Sequence, residues 1–130
     1  MVRIALSVAV GCVLAACVLG CGKEEAAESK TKKYHEEAAM RLLLKKDKKG
    51  AIAAYTKAIK ADPKDAVAYA NRGALQGDNK RALADLNKAI ELDPKYANAY
   101  SNRAKVRKDM GDAAGAKADA AKAEELGSKK

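Results

Sequence analysis

The chain has 130 residues, enough for one small domain. Its aromatic residues are five tyrosines, with no Phe or Trp, so a core must be built from Ala, Leu, Ile and Tyr, which favours closely packed helices over a sheet. The formal charge is +9, and because Arg3 is the only charged residue before Lys23, the part from Gly22 onward carries +8. All three cysteines precede Gly22 and the chain has one histidine, which excludes disulfides in the rest of the chain and argues against a zinc site.

The first 22 residues have the layout of a secretory signal peptide. A basic start at Arg3 is followed by an uncharged run over residues 4–19 and then by the charged segment Lys23-Glu24-Glu25. The run is 16 residues long, slightly shorter than the roughly 20 that a membrane-spanning helix needs. We therefore interpret residues 1–21 as a signal and residues 22–33 as a polar tether, either mobile or forming a frayed first helix.

Two tetrapeptides in this region resemble the lipobox of bacterial lipoproteins: Leu-Ala-Ala-Cys at 14–17 and Val-Leu-Gly-Cys at 18–21. The resemblance implies that the cysteine thiol receives a diacylglyceryl group and that the peptide is cut just before it. Cys17 fits the pattern better residue by residue, but Cys21 is better placed because the polar segment begins directly after Gly22. We predict lipidation at Cys21, with Cys17 as the alternative, and hence a membrane-anchored protein on the periplasmic or outer-surface side of the bacterial envelope. The other reading is an ordinary signal peptide or an uncleaved anchor.

The rest of the chain contains an internal repeat. Ala-Ile-Lys-Ala-Asp-Pro at 58–63 returns as Ala-Ile-Glu-Leu-Asp-Pro at 89–94, and Ala-Tyr-Ala-Asn-Arg-Gly at 68–73 returns as Ala-Tyr-Ser-Asn-Arg-Ala at 99–104. Repetition on this scale indicates a solenoid of stacked supersecondary units. Apolar residues at 51, 52, 55, 58 and 59 lie on one face of a helix, and residues 82, 83, 86, 89 and 90 repeat that stripe.

These residues resemble the tetratricopeptide repeat, a helix–turn–helix unit of 34 residues. The resemblance implies an all-α fold, with three helix pairs (32–65, 66–96 and 97–130) forming a short right-handed α-solenoid over residues 34–130. Its small residues fall at repeat position 8 (Ala39, Gly73, Ala104) and at position 20 (Ala51, Ala82, Ala116). His35 stands at position 4, where a large apolar residue is usual, and we interpret it as a half-exposed residue near a helix start rather than a ligand or base.

Spacing and capping residues add detail to this fold. Gly73 and Ala104 are 31 residues apart but Ala82 and Ala116 are 34 apart, so the first helix of the second pair should be three residues short. Pro63 and Pro94 should end the preceding helices. The carboxylates expected to cap the second helices of the three pairs are Asp47, Asp78 and Asp112.

The family resemblance also implies a binding groove along the first helices of the pairs. Position 6 is Glu37, Asn71 and Asn102, and position 9 includes Met40 and Lys105, so we predict a partner-binding groove of Asn71, Asn102, Met40 and Lys105. Chaperone-binding members of the family use lysines and an arginine as a clamp for a carboxylate. In this sequence the clamp positions hold neither lysine nor arginine, so the clamp is absent. The residues at these positions are Glu36, Met40, Asn98 and Asn102.

Two alternatives concern the groove residues. Asn71 and Asn102 would either bind a partner's backbone or bond to neighbouring helices while Arg72 and Arg103 make the surface contacts. Two leucines, Leu43 and Leu44, would either extend an apolar groove surface or fill the space left by the short helix.

No nucleophile–base pair, phosphate loop or dinucleotide fingerprint is found, so we predict neither an enzyme nor a cofactor. The leading hypothesis is an envelope scaffold that binds a protein or peptide. The alternative is a basic helical domain that binds anionic lipid, wall polymer or nucleic acid by electrostatics. Nucleic acid is the weakest of these partners because no aromatic stacking platform is present.

We expect labelled fatty acid to be incorporated into the wild-type protein in a bacterial host. Cys21→Ala should abolish the labelling and Cys17→Ala should retain it, because the polar segment begins just after Cys21. The reverse pattern would move the site to Cys17. Labelling that survives the double substitution would contradict lipidation at either cysteine.

Overall fold

The computed structural model describes the backbone of residues 9–127 and the side chains of residues 26–127. Residues 1–8 and the side chains of Cys17 and Cys21 lie outside this part, so the signal and the lipidation sites stay predictions. Within residues 9–127 the chain forms helices and no β-strand. The helices are α1 Ala9–Lys45, α2 Lys48–Ala61, α3 Ala66–Leu75, α4 Asn79–Leu92, α5 Ala97–Asp109 and α6 Ala113–Gly127.

The six helices form three pairs, α1 with α2, α3 with α4 and α5 with α6, joined within each pair by loops of two or three residues. Such short loops make the helices of a pair antiparallel neighbours. Successive pairs also contact one another, α2 with α3 and α4 with α5, which gives a solenoid. The prediction of an all-α fold with three helix pairs is confirmed, and so is the shortening, because α3 has 10 residues and α5 has 13.

Helix α1 has 37 residues and is much longer than the other helices. It includes residues 22–33, so the segment interpreted as a tether and the first helix of the repeat domain are continuous in the backbone. Among the residues that the structure describes, no helix combines the length and the apolar character needed to cross a bilayer.

The core is made largely of alanine. In the described residues the buried apolar side chains are nine alanines, Tyr55 and Leu86. Ala51 and Ala82, the predicted contact residues of the second helices, are 0% and 1% exposed. At Gly73 an added Cβ would lie 3.0 Å from the Leu86 Cγ and 3.1 Å from the Ala82 carbonyl oxygen, so α3 and α4 approach as closely as glycine permits.

Aspartates begin the second helices as predicted. The Asp47 carboxylate accepts a hydrogen bond of 2.8 Å from the Gly50 N–H, and Asp112 accepts one of 2.8 Å from Gly115. Asp78 accepts from Lys80 at 2.8 Å and from Arg81 at 3.4 Å. These carboxylates satisfy backbone donors that lack a partner within the first turn.

The position assigned to Ala39 is wrong by one residue. Ala38 is fully buried in the first pair, whereas Ala39 is exposed. Ala38 precedes Ala51 by 13 residues, while Ala104 precedes Ala116 by 12. The additional residue lies between Ala38 and the end of α1, because Lys46 and Gly111 are each five residues before position 20 and both have a left-handed φ, 49° and 84°. The expected place of His35 at a helix start is also wrong, because His35 lies well inside α1.

We expect Ala82→Leu to destabilise the fold by roughly 1–3 kcal/mol, because Ala82 lies where α3 and α4 meet and a larger side chain must push them apart. Lys117→Ala, on the exposed face of α6, serves as the control and should change stability little. Thermal and urea unfolding measure both variants. Equal effects would contradict the packing position of Ala82.

Candidate functional site

The first helix of every pair carries a tyrosine with a cation over its ring, and in the first pair that cation comes from α2. Arg72 lies over the Tyr69 ring at 5.6 Å from its centroid, and Arg103 lies over Tyr100 at 5.5 Å. In the first pair the ring is Tyr34, with the Lys57 ammonium at 5.9 Å. Tyr34 therefore occupies repeat position 4, which the sequence analysis had assigned to His35.

The first of two repeated ion pairs joins α3 to α4. The Arg72 guanidinium donates two hydrogen bonds to the Asp85 carboxylate, at 2.8 and 2.7 Å, and a third of 3.3 Å to the Thr56 hydroxyl on α2. The side chains of Arg72 and Asp85 are 19% and 10% exposed. Asp85 raises the pKa of Arg72 because its carboxylate stabilises the charged guanidinium. One arginine thus connects both helices of its pair to the preceding pair.

The third pair repeats this network. Arg103 donates two hydrogen bonds to Asp119, at 2.9 and 2.7 Å, and one of 2.8 Å to the Asn87 side chain on α4. Asp119 also pairs with Arg107 at 3.0 Å. The alternative that Arg72 and Arg103 make surface contacts with a partner is therefore wrong, because their guanidinium groups are used inside the fold. The sequence signals of this network were the recurrence of Asn-Arg before a small residue and the aspartates that follow Ala82 and Ala116 by three residues.

The first pair replaces this network with a more exposed one. Glu37 stands at the position of Arg72 and Arg103, and Ala54 stands at the position of the buried aspartates. Glu37 accepts hydrogen bonds of 3.1 and 2.9 Å from Arg41 on its own helix, and its carboxylate lies 3.8 Å from the Lys57 ammonium. No preceding pair is present in the described residues for this end to contact.

Asn71 and Asn102 share a repeat position but have different surroundings. Asn71 hydrogen-bonds to the Tyr55 hydroxyl on α2. Burial raises the pKa of Tyr55, and the Asn71 hydrogen bond opposes that shift. Part of the Asn71 amide is thus used within the fold, as the structural alternative proposed.

The residue equivalent to Tyr55 in the second pair is Leu86, which has no polar group to offer Asn102. Asn102 is half-buried and has no hydrogen-bond partner among the described residues. It lies one turn before Lys105, which is exposed. Of the two asparagines, Asn102 is the one whose amide is available to a ligand.

The corrected register changes the first-pair residues of the groove. Position 6 becomes Glu36 and position 9 becomes Ala39, both of them exposed. Met40 takes the position of Val106, which packs against residues of α3 and α4 in the preceding pair. Met40 is 58% exposed and is therefore assigned to the outer edge of the first pair rather than to the groove. His35 and Ala39 now hold the first-pair clamp positions, so the clamp remains absent.

A cleft of about 820 Å³ lies between α1 and the beginning of α3. It is lined on the α1 side by Lys32 and His35 among others, and on the α3 side by Lys64, Asp65 and Val67. His35 Nε2 lies 2.6 Å from Asp65 Oδ2. The His35 ring also packs edge-on against the Tyr55 ring, with 5.5 Å between the ring centroids. His35 thus holds the two sides of the cleft together. Among the described residues, no three potential metal ligands are grouped together.

The alternative that Leu43 and Leu44 fill the space beside the short helix is wrong. They are 80% and 75% exposed and contact no core cluster in the described residues. Leu42 packs against the first-pair core instead. The space beside α3 is closed by the direct approach of Gly73 to α4.

We expect Arg72→Met to destabilise the protein by about 3 kcal/mol, because it leaves the buried Asp85 without a cation. Arg103→Met should lower the free energy of unfolding by a smaller amount, because Arg107 still pairs with Asp119. The double variant Arg72→Met/Asp85→Leu should recover most of the loss. Urea unfolding measures these changes.

The exposed pair Lys88–Glu91 supplies the control, and Lys88→Met should change stability by less than about 1 kcal/mol. Equal losses for Arg72→Met and Lys88→Met would contradict the structural importance of the buried pair.

Comparisons with known proteins agree on the family. The chain matches two family models, one described as TPR repeat over residues 74–111 and one described as tetratricopeptide repeat over residues 33–65. None of the curated proteins matches the chain by sequence.

Solved structures extend the likeness to three dimensions. The TPR2B domain of yeast Sti1, in a pHsp70 complex, is 33% identical, with 75% of this chain and 80% of that chain covered and a TM-score of 0.70. The first TPR of Spaghetti (RPAP3), bound to the HSP90 peptide SRMEEVD, is 29% identical with 75% and 79% covered and a TM-score of 0.71. The Sgt2 TPR domain from Aspergillus fumigatus is 31% identical, with 75% and 66% covered and a TM-score of 0.70. The chain therefore belongs to the tetratricopeptide-repeat family.

Proposed function

We propose that this protein is a lipid-anchored scaffold of the bacterial envelope, whose inner face, formed by α1, α3 and α5, binds an extended segment of another protein. The observation that carries the proposal is Asn102, whose amide has no partner in the described residues and lies beside the exposed Lys105. The basic start, the uncharged run and the two lipobox-like cysteines support export and anchoring.

The inner face offers the groups that an extended peptide needs. A side-chain amide can donate to a peptide carbonyl and accept from a peptide N–H at the same time, so Asn102 can hold one backbone unit. Asn71, one pair away, can use the part of its amide that Tyr55 leaves available. At the α1 end, Val67 is 40% exposed at the mouth of the cleft and provides an apolar contact for a partner side chain.

The chemistry of the groove also narrows the kind of segment that it would bind. Two of the similar structures are complexes with pHsp70 and with an HSP90 peptide. Here the clamp positions hold His35, Ala39, Asn98 and Asn102, which supply no lysine or arginine. We therefore propose recognition of an internal segment through its backbone, rather than of a terminal carboxylate.

Groove recognition through neutral amides has a distinct dependence on salt. Binding that relies on surface charge weakens steeply as ionic strength rises, whereas hydrogen bonds and apolar contacts in a groove are affected much less. Capture of a partner that persists at raised salt would favour the groove over the electrostatic alternative.

We expect Asn102→Ala to weaken partner capture while leaving the melting temperature nearly unchanged, because its amide bonds to nothing else in the described fold. Asn71→Ala should weaken capture and also destabilise the protein by roughly 1 kcal/mol, because it removes the partner of the Tyr55 hydroxyl. Affinity capture from envelope extracts, paired with thermal unfolding, measures both effects.

Asn79→Ala on α4, outside the inner face, is the matched control and should retain full capture. A photo-crosslinking residue at Lys105 should join the partner covalently, and the same residue at Lys117 on α6 should not. Intact capture by the Asn71→Ala/Asn102→Ala double variant would contradict the groove assignment.

A further inference from the structure

An apolar face of α1 is left uncovered at the first end of the solenoid. Met40, Leu43 and Leu44 are 58%, 80% and 75% exposed, and their spacing places them together on one side of the helix. In the third pair Val106, at the position of Met40, packs against the preceding pair, whereas Asp109 and Met110, at the positions of Leu43 and Leu44, are exposed. We call Met40, Leu43 and Leu44 the α1 edge.

Lysines surround the end of the α1 edge. Of the five residues after Leu44, four are the exposed lysines Lys45, Lys46, Lys48 and Lys49, and none of them forms an ion pair within the described residues. The one acidic residue among them is Asp47, whose carboxylate already accepts from the Gly50 N–H and lies 3.2 Å from Arg41. We call the four lysines the lysine loop.

The same side of α1 continues as a charged surface toward the predicted anchor. Lys33 and Lys30 are exposed about two and three turns before Met40 along this side, and Glu36 lies between Lys33 and the α1 edge. The helix rises about 33 Å from Cys21 to Leu43. A single surface that contacts both Cys21 and the α1 edge must therefore lie alongside α1 rather than meet only one end of it.

We propose that the α1 edge and the lysine loop bind the surface of a membrane that contains anionic phospholipid. Leu43 and Leu44 enter the boundary between headgroups and acyl chains, while the four lysines contact lipid phosphates. Apolar side chains flanked by unpaired cations are the combination that interfacial membrane binding uses. The proposal depends neither on acylation of Cys21 nor on the partner in the groove.

The shape of this feature favours lipid over a protein partner. Leu43 and Leu44 protrude with three quarters or more of their surface exposed, and neither of them lines the cleft between α1 and α3. A folded partner would have to supply a matching cavity, whereas lipid headgroups rearrange around a protrusion. The unpaired lysines supply charge complementarity to anionic headgroups.

A second copy of the chain is a poorer occupant. Two copies that meet through the α1 edge would bring their lysine loops together, which is repulsive. A head-to-tail contact would place the α1 edge against α6, where Ala120 and Glu124 are exposed at the positions that Leu86 and Ile90 hold in the second pair. That end lacks the apolar surface needed to receive another pair.

The test uses the full chain with Cys12, Cys17 and Cys21 changed to Ser, which removes lipidation, and an environment-sensitive fluorophore at Leu44→Cys. The chain is reconstituted with vesicles of phosphatidylcholine alone or with about one third phosphatidylglycerol. We expect a blue-shifted emission, quenched by brominated lipid, on the anionic vesicles, and a smaller shift on neutral vesicles or at high salt. A fluorophore at Lys117→Cys on α6 should not respond.

Charge variants give the matched comparison, both labelled at Leu44→Cys. Changing the lysine loop to Gln (Lys45, Lys46, Lys48 and Lys49) should abolish most of the shift. Changing four exposed lysines elsewhere to Gln removes the same net charge and should leave the emission shift intact. These control lysines are Lys80, Lys95, Lys108 and Lys117. Circular dichroism confirms that both variants fold.

Three results would overturn the proposal. One is the absence of a shift at Leu44 on anionic vesicles, and another is an equal loss in both lysine variants, which would indicate an effect of net charge alone. The third is a shift without vesicles that grows with protein concentration, which would assign the face to a second copy. Because the cysteines are absent, none of these results depends on lipidation or on groove binding.

Discussion

The arrangement of the helices depends on one repeated interaction, the buried contact of an arginine with an aspartate. In the second and third pairs the arginine stacks on a tyrosine of its own helix, donates two hydrogen bonds to the aspartate and reaches a side chain of the preceding pair. Two rigid hydrogen bonds fix both the rotation and the height of one helix relative to its neighbour. The same contact thereby decides which face of α3 and α5 remains free for a ligand.

This contact matters more here because the core is made mostly of alanine. Alanine lets helices approach closely but removes little apolar surface from water, and Leu86 is the one large side chain that is fully buried in the described residues. Each pair therefore gains less from burial than a leucine-rich pair would. Hydrogen-bonded ion pairs at the helix contacts then supply specificity, since a shift in register would leave a buried charge unpaired.

The two ends of the solenoid differ from its middle because, in the described residues, no further helix pair packs against either end. At the first end, Glu37 and Ala54 replace the arginine and the aspartate, and the apolar residues of the α1 edge are uncovered. At the last end, Ala120 and Glu124 occupy positions that are apolar in the second pair, which suits a helix that faces solvent. The inner face between the ends keeps Asn102 available, because Leu86 offers it no hydrogen bond.

The sequence by itself determined the features that depend on local spacing. Repeated segments gave the three pairs, the loss of three residues predicted the short α3, and aspartates before the second helices predicted the caps. Each of these follows from helix periodicity or from hydrogen bonds within one turn, and both can be read from neighbouring residues.

The tertiary structure decided what depends on residues far apart in the chain. The register of the first pair changed because the last turns of α1 contain one additional residue, and only the burial of Ala38 shows it. The ion pairs join residues that are 13 and 16 positions apart in the sequence. Helix periodicity does not predict contacts at these separations, because the partners lie on different helices. Asn71 and Asn102 have similar local sequences, but the preceding pair presents Tyr55 to one and Leu86 to the other. Their roles therefore differ for a reason that lies outside their own repeats.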